Sequence, residues 1–195
     1  MLRLITAALT ALMLTAIPAA AQKLSLSTIS QYLNSIQSAK GQFTQINGDG
    51  SISTGTISIK RPGKVRFEYN PPEQALVLAW SGAVYVFDRK VGGQPETYPL
   101  NQTPLSIILA RNVNLGQAGM VTEHGYDGTA TTVTAQDPQR REYGSIQMKF
   151  TGNPVQLRQW IVTDSNGSKT TVVLGDLSKA DLPNSVFDVR RQTGQ

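Results

Sequence analysis

Cysteine is absent from the chain, and the only histidine is His124. The first absence excludes disulfides, thiolate metal sites, a cysteine nucleophile and the cysteine through which a bacterial lipoprotein carries its own lipid. The second leaves His124, in Glu123-His124-Gly125, with no partner at a metal-ligand spacing, so a surface histidine on a strand edge is expected. Carboxylates are sparse and scattered; Glu68 and Glu73 are the closest to a pair, and nothing in the pattern puts them in one cleft. Tyr143-Gly144-Ser145 lacks the second glycine of a nucleophile elbow, and no phosphate-cradling or dinucleotide glycine pattern occurs. Neither catalysis nor a cofactor is expected. The formal net charge is +5 without a dense Lys/Arg run interleaved with aromatics, which argues against nucleic acid. This mild excess suits an anionic membrane surface or an acidic partner, and equally an ordinary solvated surface. After Gln22 no apolar run is long enough to span a bilayer.

What is present begins with an export signal. Arg3 precedes the apolar run Leu4 to Ile17, and Ala19-Ala20-Ala21 supplies small residues for cleavage. At about 14 residues the run is short for a span of roughly 20. Residues 1–21 are therefore expected to be a signal peptide cleaved after Ala21. Residues 22–195 form one domain, released into a periplasm.

The mature chain opens with helical periodicity from Leu24 to Lys40, where Leu26, Ile29, Leu33 and Ile36 recur at spacings of three and four, with Ser25 or Ser27 as cap and Gly41 as stop. Strands then dominate. Gly41 to Ile46 and Ser51 to Lys60 flank the turn Gly48-Asp49-Gly50, with Gly55 as a candidate bulge. Lys64 to Tyr69 alternates strictly, Val65, Phe67 and Tyr69 against Lys64, Arg66 and Glu68. Ala75 to Trp80 and Ala83 to Asp88, joined by Ser81-Gly82, are apolar at nearly every position, so both of their faces should be covered. A second, almost wholly apolar helix starts at Thr103-Pro104 and carries Leu105, Ile107, Ile108 and Leu109. Further strands follow from Met120 to Leu174. The count is mainly β (α+β), with about eleven antiparallel strands and two or three helices. Such a sheet is either an ordinary filled core or a half-open barrel whose helices cover a hydrophobic cavity.

In order and spacing these pieces resemble the outer-membrane lipoprotein carrier family, LolA. A leader without a lipid-bearing cysteine and an amphipathic first helix lead into Gly41-Gln42-Phe43-Thr44-Gln45, which is similar to the family's small-x-Phe-x-Gln strand opening. Lys60-Arg61-Pro62, the hairpin Ser81 to Asp88, Thr103-Pro104-Leu105 and Leu109-Ala110-Arg111-Asn112 resemble later family segments, and the likeness spans essentially the whole mature chain. Two departures are that Val65 and Phe67 stand where better-known carriers are more aromatic, and that the tail after Phe187 is short. The resemblance implies an incomplete antiparallel barrel with a helical lid over a hydrophobic cavity. It implies a monomeric periplasmic chaperone that receives acylated lipoproteins from an inner-membrane ABC lipoprotein-releasing transporter and passes them to an outer-membrane acceptor. Arg61 matches the family's lid latch. The expected cavity lining is Phe43, Val65, Phe67, Tyr69, Leu76, Leu78, Trp80, Tyr85, Phe87, Met148 and Trp160, with Leu33, Leu105, Ile108 and Leu109 from the lid. The alternatives are a carrier or sensor of another lipid and, from another class, a periplasmic hydrolase.

Overall fold

The computed structural model describes residues 22–193; the signal peptide expected at residues 1–21 lies outside them. Helix α1 (Leu26–Ser35) is followed by strands β1 (Ser38–Ile46), β2 (Ile52–Lys60), β3 (Lys64–Tyr69), β4 (Ala75–Trp80), β5 (Ala83–Asp88) and β6 (Glu96–Pro99). Helix α2 (Leu105–Leu109) then precedes β7 (Val121–Tyr126), β8 (Thr131–Ala135), β9 (Ser145–Thr151), β10 (Gln156–Thr163), β11 (Lys169–Leu174), the short β12 (Ser178–Lys179) and helix α3 (Arg190–Thr193). The strands form one antiparallel sheet in the order β6-β5-β4-β3-β2-β1-β11-β10-β9-β8-β7, with β12 paired to β1. The sheet does not close, since β6 and β7 are its two ends. The expectation of a mainly β, incomplete antiparallel barrel with helices is met.

The first helix is shorter than its periodicity predicts. Ser25 caps it, accepting a hydrogen bond from the Thr28 amide at 3.0 Å, but it ends at Ser35 and β1 begins at Ser38. Gly41 is not the helix stop. It lies within β1, opposite Ile57, where a side chain would come within 2.9 Å of the Asp176 carbonyl oxygen. Gly55 makes no bulge either: β2 stays in register with both neighbours, opposite Phe43 and Tyr69. At Ser81-Gly82 both φ angles are positive, as a tight turn matching the strand twist requires.

Directly opposite residues of an antiparallel pair share a face, and the registers therefore divide the sheet. On the concave side Phe67 faces Val77, which faces Val86, and Val65 faces Ala79, which faces Val84. Phe43 faces Leu174, Val172 faces Trp160, and Trp160 faces Met148. These residues join Ile29 and Leu33 of α1 and Ile107, Ile108 and Leu109 of α2 in one continuous core. A second, separate cluster lies on the convex side, where Leu76, Leu78 and Phe87 pack with Tyr85 and Val189. The C-terminal segment crosses this side as a strap: Lys60 Nζ donates to the Leu182 carbonyl at 2.6 Å and Arg66 Nη1 to that of Val186 at 3.3 Å. No helix among the described residues is long and apolar enough to cross a membrane.

Candidate apolar site and its lid

The concave wall is built from side chains that alternate inward. Its aromatic members meet edge to face: Tyr69 and Phe43 at 5.0 Å between ring centroids, Phe43 and Phe67 at 5.2 Å, Phe67 and Trp160 at 6.2 Å. The polar exception is Tyr69, whose hydroxyl donates to Gln45 Oε1 at 2.6 Å and whose phenol is pushed up to about 12 by burial. Over this wall lie α1 and α2. Leu33, Ile108 and Leu109 are buried in the main core and Leu105 packs against it half-buried.

Of the expected lining residues, Phe43, Val65, Phe67, Tyr69, Met148 and Trp160 stand on the concave side with the lid residues. Leu76, Leu78, Tyr85 and Phe87 do not; they belong to the convex cluster under the strap. Trp80 shares their side, with Lys64 Nζ 5.7 Å from its ring centroid. The correction is one of strand parity. The concave positions of β4 and β5 are the smaller Val77, Ala79, Val84 and Val86. Size drew attention to the wrong face. The register was available from the two-residue Ser81-Gly82 turn, but the five-residue link from Asn70 to Gln74 left the parity between β3 and β4 open.

Arg61 occupies the turn between β2 and β3 and is only 7% exposed. Its Nε donates to the Ala110 carbonyl at 3.0 Å; Nη1 donates to the Leu33 carbonyl, and Nη2 to the Ala110 carbonyl and, at 3.0 Å, to Asn34 Oδ1. Leu33 lies in the last turn of α1, and Ala110 caps the C-terminal end of α2. Carbonyls there carry the negative end of the helix dipole, and although the Leu33 carbonyl also accepts from the Ile36 amide at 3.3 Å, a forked cation meets two such ends at once. Burial pushes the Arg61 guanidinium down from its ordinary value, but an arginine stays charged. Among the described residues its side-chain partners are all neutral oxygens. The same turn also bonds through its backbone, with the Arg61 amide on the Gln37 carbonyl at 2.8 Å and the Gly63 amide on that of Leu109 at 2.8 Å.

Sequence reasoning missed Asn34, which had counted only as part of the polar face of the first helix. A polar residue directly after the buried Leu33 was the one signal available. Thr103 does not cap α2; its hydroxyl turns back to the Leu100 carbonyl at 2.9 Å. His124 is half-buried, with Nε2 2.9 Å from the Leu24 carbonyl oxygen. Among the described residues no group of acidic and histidine side chains could hold a metal ion. Clefts beside α1 and α2 include one of about 290 Å³ at Ile107, Val113 and Met120 and one of about 520 Å³ at Leu24, Thr28 and Phe150.

A family model described as outer membrane lipoprotein carrier protein LolA matches residues 34–190. Among curated proteins, the outer-membrane lipoprotein carrier protein of Cupriavidus necator is 28% identical over 156 residues, 73% of this chain and 74% of that protein. The protein of the same name from Chromobacterium violaceum is 25% identical over 178 residues, 87% of this chain and 84% of that protein. Among solved structures, a LolA superfamily protein from Nitrosomonas europaea covers 85% of this chain and 98% of its own at a TM-score of 0.43 and 11% identity.

Proposed function

Because the chain belongs to the outer membrane lipoprotein carrier family, LolA, we propose that it is a periplasmic carrier that shields the acyl chains of lipoproteins between the inner and the outer membrane. The observation that carries this reading is the buried Arg61 fork, which ties both lid helices over an apolar concave face through hydrogen bonds to neutral oxygens. An acyl chain of about 16 carbons, at roughly 0.8 kcal/mol per methylene, costs on the order of 12 kcal/mol to expose to water. A carrier therefore needs an apolar wall that is covered when empty and uncovered when loaded. The wall consists of Phe43, Val65, Phe67, Tyr69, Met148 and Trp160, joined by Val77, Ala79, Val84 and Val86. Leu33, Leu105, Ile108 and Leu109 cover it.

Opening the lid returns a solvated guanidinium and free carbonyls to water, which can hydrogen-bond all of them. No ion pair has to be broken, so the closed state is favoured only modestly and incoming acyl chains compete with the lid for the same wall. Cargo moves by differential affinity, with no chemical step. The protein receives acylated lipoproteins from an inner-membrane ABC transporter and yields them to an outer-membrane acceptor, after cleavage of its leader behind Ala21. Depletion of the protein followed by envelope fractionation tests this. Lipoproteins are expected to accumulate at the inner membrane, and mass spectrometry of natively purified protein should find a lipoprotein bound. Normal sorting on depletion overturns the reading. Hydrolysis of an envelope lipid by the purified protein would favour an enzyme instead.

A further inference from the structure

Asn34 has every hydrogen-bonding position of its side-chain amide in use. Nδ2 donates to the Val113 carbonyl at 2.9 Å and to Asn112 Oδ1 at 3.2 Å. Oδ1 accepts from the Val113 amide at 2.9 Å and from Arg61 Nη2 at 3.0 Å. An asparagine amide offers two donors and one oxygen with two lone pairs, and here both donors and both lone pairs are taken. The contacts to Val113 are those a neighbouring strand would make, one donated and one accepted by the same residue. Four residues earlier, on the same face of α1, Ser30 Oγ accepts from the Leu115 amide at 3.1 Å. The segment after α2 is thus fastened along α1 at two points, and Val113 and Leu115 are buried there.

We infer that Asn34 is a positioning residue that joins α1, the 112–113 segment and Arg61, so that the two halves of the lid are released together. Without it, α1 would be held to Arg61 through the Leu33 carbonyl and α2 through the Ala110 carbonyl, and of the two fastenings between α1 and the segment after α2 the Leu115–Ser30 hydrogen bond would remain, so the coupling between the halves is weakened. With it, loss of either bond is transmitted to the other half. The inference rests on the reading of these helices as a lid. Other residues fit the place poorly: aspartate keeps the oxygen acceptors but loses both donors, and alanine loses all four contacts.

Backbone hydrogen exchange on the complete mature protein, with no lipid present, tests this independently of cargo. The amide of residue 61, bonded to the Gln37 carbonyl just beyond α1, reports one half of the lid. The Gly63 amide, bonded to the Leu109 carbonyl, reports the other. In the unmodified protein both sets are expected to open with the same protection, and Arg61→Leu should lower both by one common factor. In Asn34→Ala the two sets should separate by about tenfold or more, the scale of coupling between directly bonded groups. Asn34→Asp, which keeps the acceptors for Arg61 and the Val113 amide, should separate them less. A residue that merely adds stability would lower both sets together, so common behaviour in Asn34→Ala overturns the inference, as does divergence in the unmodified protein. Should Asn34→Ala fail to fold, Asn34→Asp decides the same question: it removes both donors to the 112–113 segment, and common behaviour of the two reporters there overturns the inference. A synthetic triacylated lipopeptide that fails to bind would overturn the carrier reading and leave the exchange result standing.

Discussion

Gly55 has no side chain because there is no room for one. A Cβ there would overlap the Glu68 carbonyl oxygen and lie 2.7 Å from Cε1 of Phe43. The Phe43 ring lies across that gap and meets both Phe67 and Tyr69 edge to face. Gly55→Ala is therefore expected to destabilise the fold by about 3 kcal/mol, because the obstacle is backbone and cannot rotate away; the shift of a urea-unfolding midpoint measures it. Tyr69, beside it, gives a pH signature. Burial raises its phenol from the ordinary 10.0 to about 12, so the folded state favours the neutral form. The associated stability is complete below pH 10 and is lost as the pH rises from 10 to about 12. At about 1.4 kcal/mol per unit, the loss is on the order of 2–3 kcal/mol. Unfolding free energies measured across that window should fall more steeply for the unmodified protein than for Tyr69→Phe, which has no phenol to ionise. Of the latch, Arg61 was legible only through a family resemblance, since a basic residue before a proline is ordinarily a solvated turn residue. Asn34 was not legible, because its partners at positions 112 and 113 are distant in sequence and meet it only once both halves of the lid are folded.

At the scale of elements, the two faces of β4 and β5 serve different layers. Leu78 is fully buried, but under the C-terminal strap on the convex side. Leu78→Ala should thus cost about 2–5 kcal/mol of stability and leave the affinity for a triacylated lipopeptide unchanged. Phe67→Ala, on the concave side, should lower both. Denaturant unfolding and lipopeptide titration of the two variants separate the faces, and equal losses of affinity would return Leu78 to the wall. This division also explains what could be read in advance. The boundaries of β3, β4 and β5 follow from prolines, glycines and apolar runs, and double coverage follows from the absence of polar alternation in β4 and β5. Which face met which layer did not follow, because an odd-length link sets parity only once its own backbone path is known. The end of α1 was misplaced for a related reason: Gly41 looks like a helix stop, whereas its role is to let Asp176 approach β1. Short-range pattern fixes element type well, and long-range approach decides which glycine serves which purpose.

For the whole molecule, side chains of α1 and α2 and those of the concave wall share one core. On the proposed carrier reading, binding of acyl chains depends on how often the lid leaves. If closure is favoured by about 2 kcal/mol, the apparent affinity for cargo is reduced about thirtyfold, and the same closing energy helps to drive release. Replacing Arg61 by leucine removes its hydrogen bonds to the Leu33 and Ala110 carbonyls and to Asn34. Leucine leaves the Ala110 carbonyl without the donors Arg61 supplied and the Leu33 carbonyl with the Ile36 amide alone of its two named donors whenever the lid is shut, while in the open state water can satisfy both. The open state gains in population with no change to the wall proposed to bind cargo. Arg61→Leu should accordingly bind a triacylated lipopeptide about tenfold more tightly than the unmodified protein and hand it to acceptor vesicles more slowly. Trp160, on the concave wall, gives a fluorescence signal for binding, while Trp80 on the convex side serves as an internal control once each is replaced in turn by phenylalanine. Tighter binding with slower transfer follows only if the lid competes with cargo for one surface. Equal affinity and equal transfer rates in the two proteins would mean that Arg61 braces the fold without gating the wall.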